Sequence, residues 1–258
     1  MISAKPAAQP VTGNFRFIDI GVNLTDPVFR GYHHGRKKHD DDLEAMLERS
    51  RAAGVKSMII TGGSLHESRE ALELAKQFNF YATVGCHPTR SRQFDQFKGG
   101  PNAYLEELDK LIEANLDGNG RVVAVGECGL DYDRTHFASP EVQKKNFRLQ
   151  LSLAKKHHLP LFLHSRAAHA DFVSILREEG FGEDGGRGAG AKGGVVHSFT
   201  ATKPETFVYG KPVKGRNEPT AIGGVAWVVH KLNEGVPYEK VTEKAWKNTV
   251  ELFGLTEL

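Results

Sequence analysis

Six short apolar or β-branched runs recur along the chain with helical patterns between them: FIDIGVN (17–23), SMIITGG (57–63), YATVGCHP (81–88), VVAVGECGLD (122–131), LPLFLHSR (159–166) and GGVVHSF (193–199). Strict alternation of strand and helix leaves few options, because successive strands joined by helical crossovers must run parallel and be covered by those helices. The intervening periods are helical. Leu43, Met46 and Leu47 fall on one face of HDDDLEAMLERSRAAG, and SLHESREALELAKQF opens with a Ser64-to-Glu67 capping box. A third pattern carries Tyr104, Leu105, Leu108 and Leu111, a fourth opens with Ser139-Pro140, and a fifth carries Phe172, Val173 and Leu176. After His197 the rhythm fails, and only two helix-like stretches remain, 218–233 and 237–253; GGVAWVV in the first reads equally well as a strand.

At 258 residues the chain fits one α/β barrel, read as a single domain over 15–258 behind a loose tail of residues 1–14. GEDGGRGAGAKGG (182–194) reads as a mobile Gly-rich connector. The only cysteines, Cys86 and Cys128, lie inside apolar runs and read as buried free thiols of a reducing compartment, cytoplasm or nucleus. No apolar run approaches the ~18 residues that span a bilayer, so no membrane partner is expected. A net charge of +2 announces no polyanion partner by itself; any basic footprint has to be local. No protein partner can be inferred.

Residues able to bind metal recur at the same place in successive units: Asp19, His87, Glu127, His164 and His197, each near the C-terminal end of its strand. In a βα barrel those ends form one rim, where catalytic side chains gather. A lone strand-end histidine is most often structural. Three histidines and a glutamate on one rim instead suit a divalent ion and an activated water. Asp131 and Asp133 serve equally well as hydrogen-bond acceptors for the ligands or as caps of the next helix. Loops from the same rim carry Arg36, Lys37, Arg90, Arg134 and Arg166, a distribution that focuses a field for phosphates, although Asp40, Asp41 and Asp42 offset the first tract.

DIGVNLTDP, ITGG, VGCHP, GECGLDYDR, FLHSR, VVHSF and RNEP, in this order, resemble the TatD-related deoxyribonuclease family of the amidohydrolase superfamily. The resemblance covers residues 15–200 almost continuously and resumes over 215–255. It implies a TIM-type (β/α) barrel and divalent-metal-dependent hydrolysis of DNA phosphodiesters, Mg²⁺ being expected and Mn²⁺ or Zn²⁺ alternatives. By position, the family's metal ligands fall on Glu127, His164 and His197, with Glu127 and His87 the expected catalytic residues, His87 as a phosphate or substrate contact. Arg36, Lys37, Arg90 and Arg166 are the expected phosphate-binding residues. The first strand reads Asp19-Ile-Gly21-Val-Asn23 where many superfamily members have Asp-x-His-x-His, which weakens one of two metal positions.

Between VVHSF and RNEP the family carries a helix and two further strands, the last ending in Glu-Thr-Asp-Ala-Pro, whose Asp is a fourth metal ligand. Here residues 200–215 alone separate the two motifs, Glu205-Thr206 is followed by Phe207, and no Asp occurs after Asp184. The reading is an internal deletion, leaving an incomplete barrel with about six of eight strands and no fourth ligand. The expected function is a metal-dependent deoxyribonuclease, impaired by that loss. The competing reading is an inactive DNA- or metal-binding remnant. A sister amidohydrolase acting on a cyclic amide or phosphotriester is disfavoured by the missing first-strand histidine pair, the absence of a lysine at the fourth strand end, and the Arg-rich rim.

Overall fold

The computed structural model describes residues 15–116, 120–182, 184–200, 218–233 and 235–256. The N-terminal tail and residues 201–217, where the deletion was read, lie outside the described residues. In chain order the elements are β1 (Phe17–Val22), a hairpin of β2 (Tyr32–His33) and β3 (Arg36–Lys37), α1 (Leu43–Ala52), β4 (Val55–Ile60), α2 (Leu65–Phe78), β5 (Tyr81–Val84), α3 (Arg92–Gln96), α4 (Gly100–Glu113), β6 (Val122–Asp131), α5 (Pro140–His157), β7 (Leu161–Arg166), α6 (His169–Glu178), β8 (Gly194–Thr200), α7 (Ile222–Leu232) and α8 (Tyr238–Phe253).

Six strands form one sheet in the order β1-β4-β5-β6-β7-β8, every pair parallel, as the alternation required. The sheet curls into a half-barrel. Its curvature is visible where the His197 ring, on the last strand, lies over Gly21 on the first: a Cβ on Gly21 would stand 2.4 Å from His197 Nε2. A side chain at position 21 is therefore sterically excluded while His197 keeps this place.

Local signals account for the helices. Ser64 Oγ accepts the Glu67 N–H at 3.1 Å to start α2, and Pro140 occupies the first turn of α5, where a missing N–H costs nothing. The ambiguous GGVAWVV is helical, in α7. Asp184 organises the described part of the Gly-rich tract, its carboxylate accepting the N–H groups of Gly186 and Gly188 at 2.8 and 2.6 Å.

The sheet is buried on both faces by different partners. On the convex side Met58, Val84, Val125, Cys128 and Leu163 join α1, α2, α4, α5 and α6 in the larger core, which includes Met46, Leu72, Leu108, Phe147 and Phe172. On the concave side Ile18, Ile59, Tyr81, Val123 and Phe162 pack with Trp246, Phe253 and Leu255. The C-terminal helix thus fills the inside of the half-barrel below the site. Both cysteines are free and buried. Among the described residues no helix is long and apolar enough to cross a membrane.

Candidate active site

Glu127 sits within β6 between two glycines that nothing else could replace. Gly126 (φ +144°) and Gly129 (φ +143°) pass so close to β7 that a Cβ would meet Phe162 O at 2.0 Å and His164 O at 1.9 Å. That approach aligns the neighbouring strands, pairing Gly129 with His164 and His164 with His197. His164 and His197 are in this way fixed by sheet register, while Glu127 sits at the irregularity between Gly126 and Cys128, its N–H donating to Gly62 O at 2.8 Å.

The three converge. Glu127 Oε1 lies 3.1 Å from His164 Nδ1 and 3.5 Å from His197 Nδ1, and the carboxylate is nearly buried. Burial alone would raise the Glu127 pKa, but hydrogen bonds from His164 and His197 hold it well below the usual carboxylate range. Phe162 backs the His197 ring at a centroid distance of 5.0 Å. Asp19, on the first strand, lines an adjoining cavity; burial raises its carboxyl pKa, against the Gly21 N–H bond and the attraction of His197.

The far edge of the His164 ring faces a second carboxylate. His164 Nε2 is 3.2 Å from Asp131 Oδ2, while Asp131 Oδ1 is buried with no hydrogen-bond partner among the described residues. Of the two roles open to Asp131, orienting His164 is the one its geometry serves, since its side chain makes no cap bond to the turn it precedes. Asp133 instead takes an exposed ion pair with Arg166 at 2.9 Å.

His87 follows β5 and its ring meets that of His164 edge-on at 4.4 Å. Donor atoms of His87, Asp131 and His164 lie within 4.8 Å of one another, a cluster able to hold a metal ion. His164 therefore stands between two donor sets. One difference separates them: His87 Nδ1 accepts the backbone N–H of Thr89 at 3.2 Å. A backbone N–H can only donate, so the proton of the neutral ring belongs on Nε2, leaving no lone pair there for a metal. Burial pushes the His87 pKa down to about 4, against the attraction of Glu127, so the ring is neutral at pH 7. His87 is built as a neutral donor.

Above these residues opens a cleft of about 460 Å³, lined by Asn23, His87, Arg90, Glu127, Arg134 and Phe137 among others. Glu67 Oε1 holds Arg90 Nη2 at 2.6 Å, using the same acid that the capping box placed at the start of α2. Arg36 and Lys37 lie exposed on the β2–β3 hairpin, Lys37 paired with Asp40 at 2.7 Å, and neither they nor Arg166 are among the residues lining this cleft.

The sequence reading missed three buried amides on one face of α5. Gln150 Oε1 accepts the Cys86 N–H at 2.7 Å and its Nε2 donates to Cys86 O at 3.1 Å. Gln143 treats Asp131 identically, at 2.8 and 3.0 Å, and Asn146 Nδ2 donates to Ser91 O at 2.9 Å. Their only signal in the sequence is the spacing, 143, 146 and 150, beside the apolar face of the same helix.

Comparison with known proteins agrees with this architecture. A family model described as TatD related DNase matches residues 18–211. A protein of Schizosaccharomyces pombe named deoxyribonuclease Tat-D is 46% identical over 198 residues, 76% of this chain and 61% of that protein. A 3'-5' ssDNA/RNA exonuclease TatD of Erwinia tasmaniensis is 38% identical over 189 residues, 72% of this chain and 61% of that protein. The chain spans about three fifths of the length of these curated relatives. Among solved structures, an uncharacterized amidohydrolase from Saccharomyces cerevisiae superposes with a TM-score of 0.79 at 25% identity, over 93% of this chain and 100% of that one. A TatD homolog from Escherichia coli K12 gives 0.71 at 25% identity, over 95% and 100%.

Proposed function

The chain belongs to the TatD related DNase family, and we propose that it hydrolyses DNA phosphodiester bonds with a divalent metal ion held by Glu127, His164 and His197. The observation that carries this reading is the buried Glu127 carboxylate with an imidazole nitrogen at 3.1 Å and another at 3.5 Å, at the floor of a cleft walled by Arg90 and Arg134. One carboxylate and two imidazoles suit Zn²⁺ or Mn²⁺ better than Mg²⁺, which favours an all-oxygen shell and would hold this set only with added water ligands. An ion there neutralises charge on the phosphoryl group and lowers the pKa of water.

The remaining roles belong to the protein. Asp131 accepts from His164 Nε2, which fixes the ring and keeps Nδ1 turned toward Glu127. His87, neutral with its proton on Nε2, donates to a phosphoryl oxygen without competing for the ion. Arg90, oriented by Glu67, and Arg134 receive the flanking backbone. Asn23 and Thr61 also line the cleft.

The reading is tested by incubating the chain with an end-labelled single-stranded oligodeoxynucleotide in Mg²⁺ or Mn²⁺, with and without a chelator. Metal-dependent shortening of the strand is expected, and its loss in Glu127→Ala and His164→Ala. Cleavage that survives both the chelator and Glu127→Ala would remove the assignment.

A further inference from the structure

One wall of the cleft carries an aromatic ring that phosphate chemistry leaves unused. Phe137 is 49% exposed, on a turn in which its own N–H donates to Arg134 O at 3.1 Å. The next residue, Ala138, is fully buried, and its carbonyl accepts from Gln143 Nε2 at 2.8 Å. The backbone is pinned on both sides of the ring, so its exposure is set by the turn. The His136 ring lies over one face of Phe137, at a centroid distance of 4.1 Å and a tilt of 41°.

The position of this surface says what it meets. Phe137 lines the cleft together with Glu127, His87, Arg90 and Arg134, so a chain whose phosphate reaches the floor and the arginines brings the attached base to the wall. A ring face beside guanidinium groups is the combination by which proteins hold unpaired nucleotides, and it tolerates any sequence because every base has a π-face. A base within a duplex is already stacked on both sides and must first be extruded at a cost of a few kcal/mol.

We infer that Phe137 is the stacking platform for the nucleobase next to the scissile phosphate, and that it biases the site toward unpaired strands. The inference rests on the phosphodiester reading of the cleft and adds to it a residue that selects the substrate. His136 backs the platform on one face, and Arg134 joins it to the phosphate contact through the turn that carries both.

The test compares equilibrium binding of two labelled strands by fluorescence anisotropy in Ca²⁺, with gel analysis to establish that they remain intact. One strand is a short single-stranded oligodeoxynucleotide; the other has the same phosphates with abasic residues throughout. Wild type is expected to bind the base-bearing strand about tenfold to a hundredfold more tightly. Phe137→Ala should remove most of that ratio while leaving the abasic affinity unchanged, and Phe137→Trp should preserve it. Because the side chain is half exposed, the thermal midpoint of both variants serves as a control for folding. A Phe137→Ala variant that keeps the wild-type ratio, or a wild type that binds both strands equally, overturns the platform and leaves the nuclease reading intact. A wild type that binds neither strand overturns both.

Discussion

His164 is the residue on which the two donor sets turn, with Glu127 and His197 at one edge of its ring and Asp131 and His87 at the other. Calorimetric titration with Mn²⁺ separates them. His164→Ala and Glu127→Ala should abolish binding, and Asp131→Asn should weaken it by about 10- to 100-fold, the usual cost of losing a carboxylate that orients a metal-binding histidine. His87→Ala should leave affinity within about twofold, because its Nδ1 is committed to the Thr89 N–H, and should raise KM for oligonucleotide instead. If His87→Ala loses the ion as completely as His164→Ala, the ion belongs in the His87–Asp131–His164 cluster. The strand-end positions of Glu127, His164 and His197 were legible because a parallel sheet repeats them at fixed places. Arg134 was read only as one of several rim cations, and nothing in a linear sequence tells which of them turns toward the cleft. Phe137 went unremarked because an aromatic residue between two elements reads by default as core.

At the scale of elements, α5 is what holds the strand ends in place. Where β5 and β6 stop pairing and their loops begin, backbone groups lose ladder partners and must be satisfied inside the core. Gln150 and Gln143 do this with both ends of an amide each, one on Cys86 beside His87, the other on Asp131. Replacing Gln150 with Leu strands a buried N–H and a buried C=O at about 1–3 kcal/mol each, which should lower the thermal midpoint by about 5–10 °C. It should also raise KM more than it lowers kcat, since it frees the segment that carries His87. An unchanged midpoint would show that the amide clamp contributes nothing. This device was hidden because binary patterning assigns glutamine and asparagine to the solvent face, and only the completed packing reveals three of them buried. The helix/strand ambiguity of GGVAWVV had a similar origin: a short apolar run carries no period of its own, and here packing of α7 against α8, with Tyr238 donating to Gly223 O at 3.0 Å, accompanies the helical form.

For the molecule as a whole, the half-barrel has two flanks. Along β1, α7 and α8 cover the edge: Arg16 lies 4.3 Å over the Trp246 ring, Phe15 meets Tyr238 edge-on at 4.8 Å, and Glu218 of the RNEP motif takes Arg49 of α1 at 2.8 Å. On the other flank is β8, which carries His197. Among the described residues β8 is a terminal strand of the sheet, whereas β7, which carries His164, pairs on both sides; lengthening the segment after β8 should act on stability and on rate by different routes. If the corresponding segment of the Schizosaccharomyces pombe relative adds strands beside β8, replacing residues 200–215 with it would bury apolar surface at ~25 cal/mol per Å², and the thermal midpoint should rise. If that segment carries the carboxylate expected from the family motif, the metal-dependent rate should rise by at least ~10²-fold as well, the low end of what a positioned base contributes. The same chimera with that Asp changed to Asn divides the two effects, keeping the gain in melting temperature and losing the gain in rate. The asymmetry is what makes the outcome informative: packing of β8 answers to the whole segment, whereas water activation answers to one oxygen. Equal specific activity of the chain and the chimera at matched Mg²⁺ would mean that Glu127, His164, His197 and the buried Asp131 suffice without a further carboxylate.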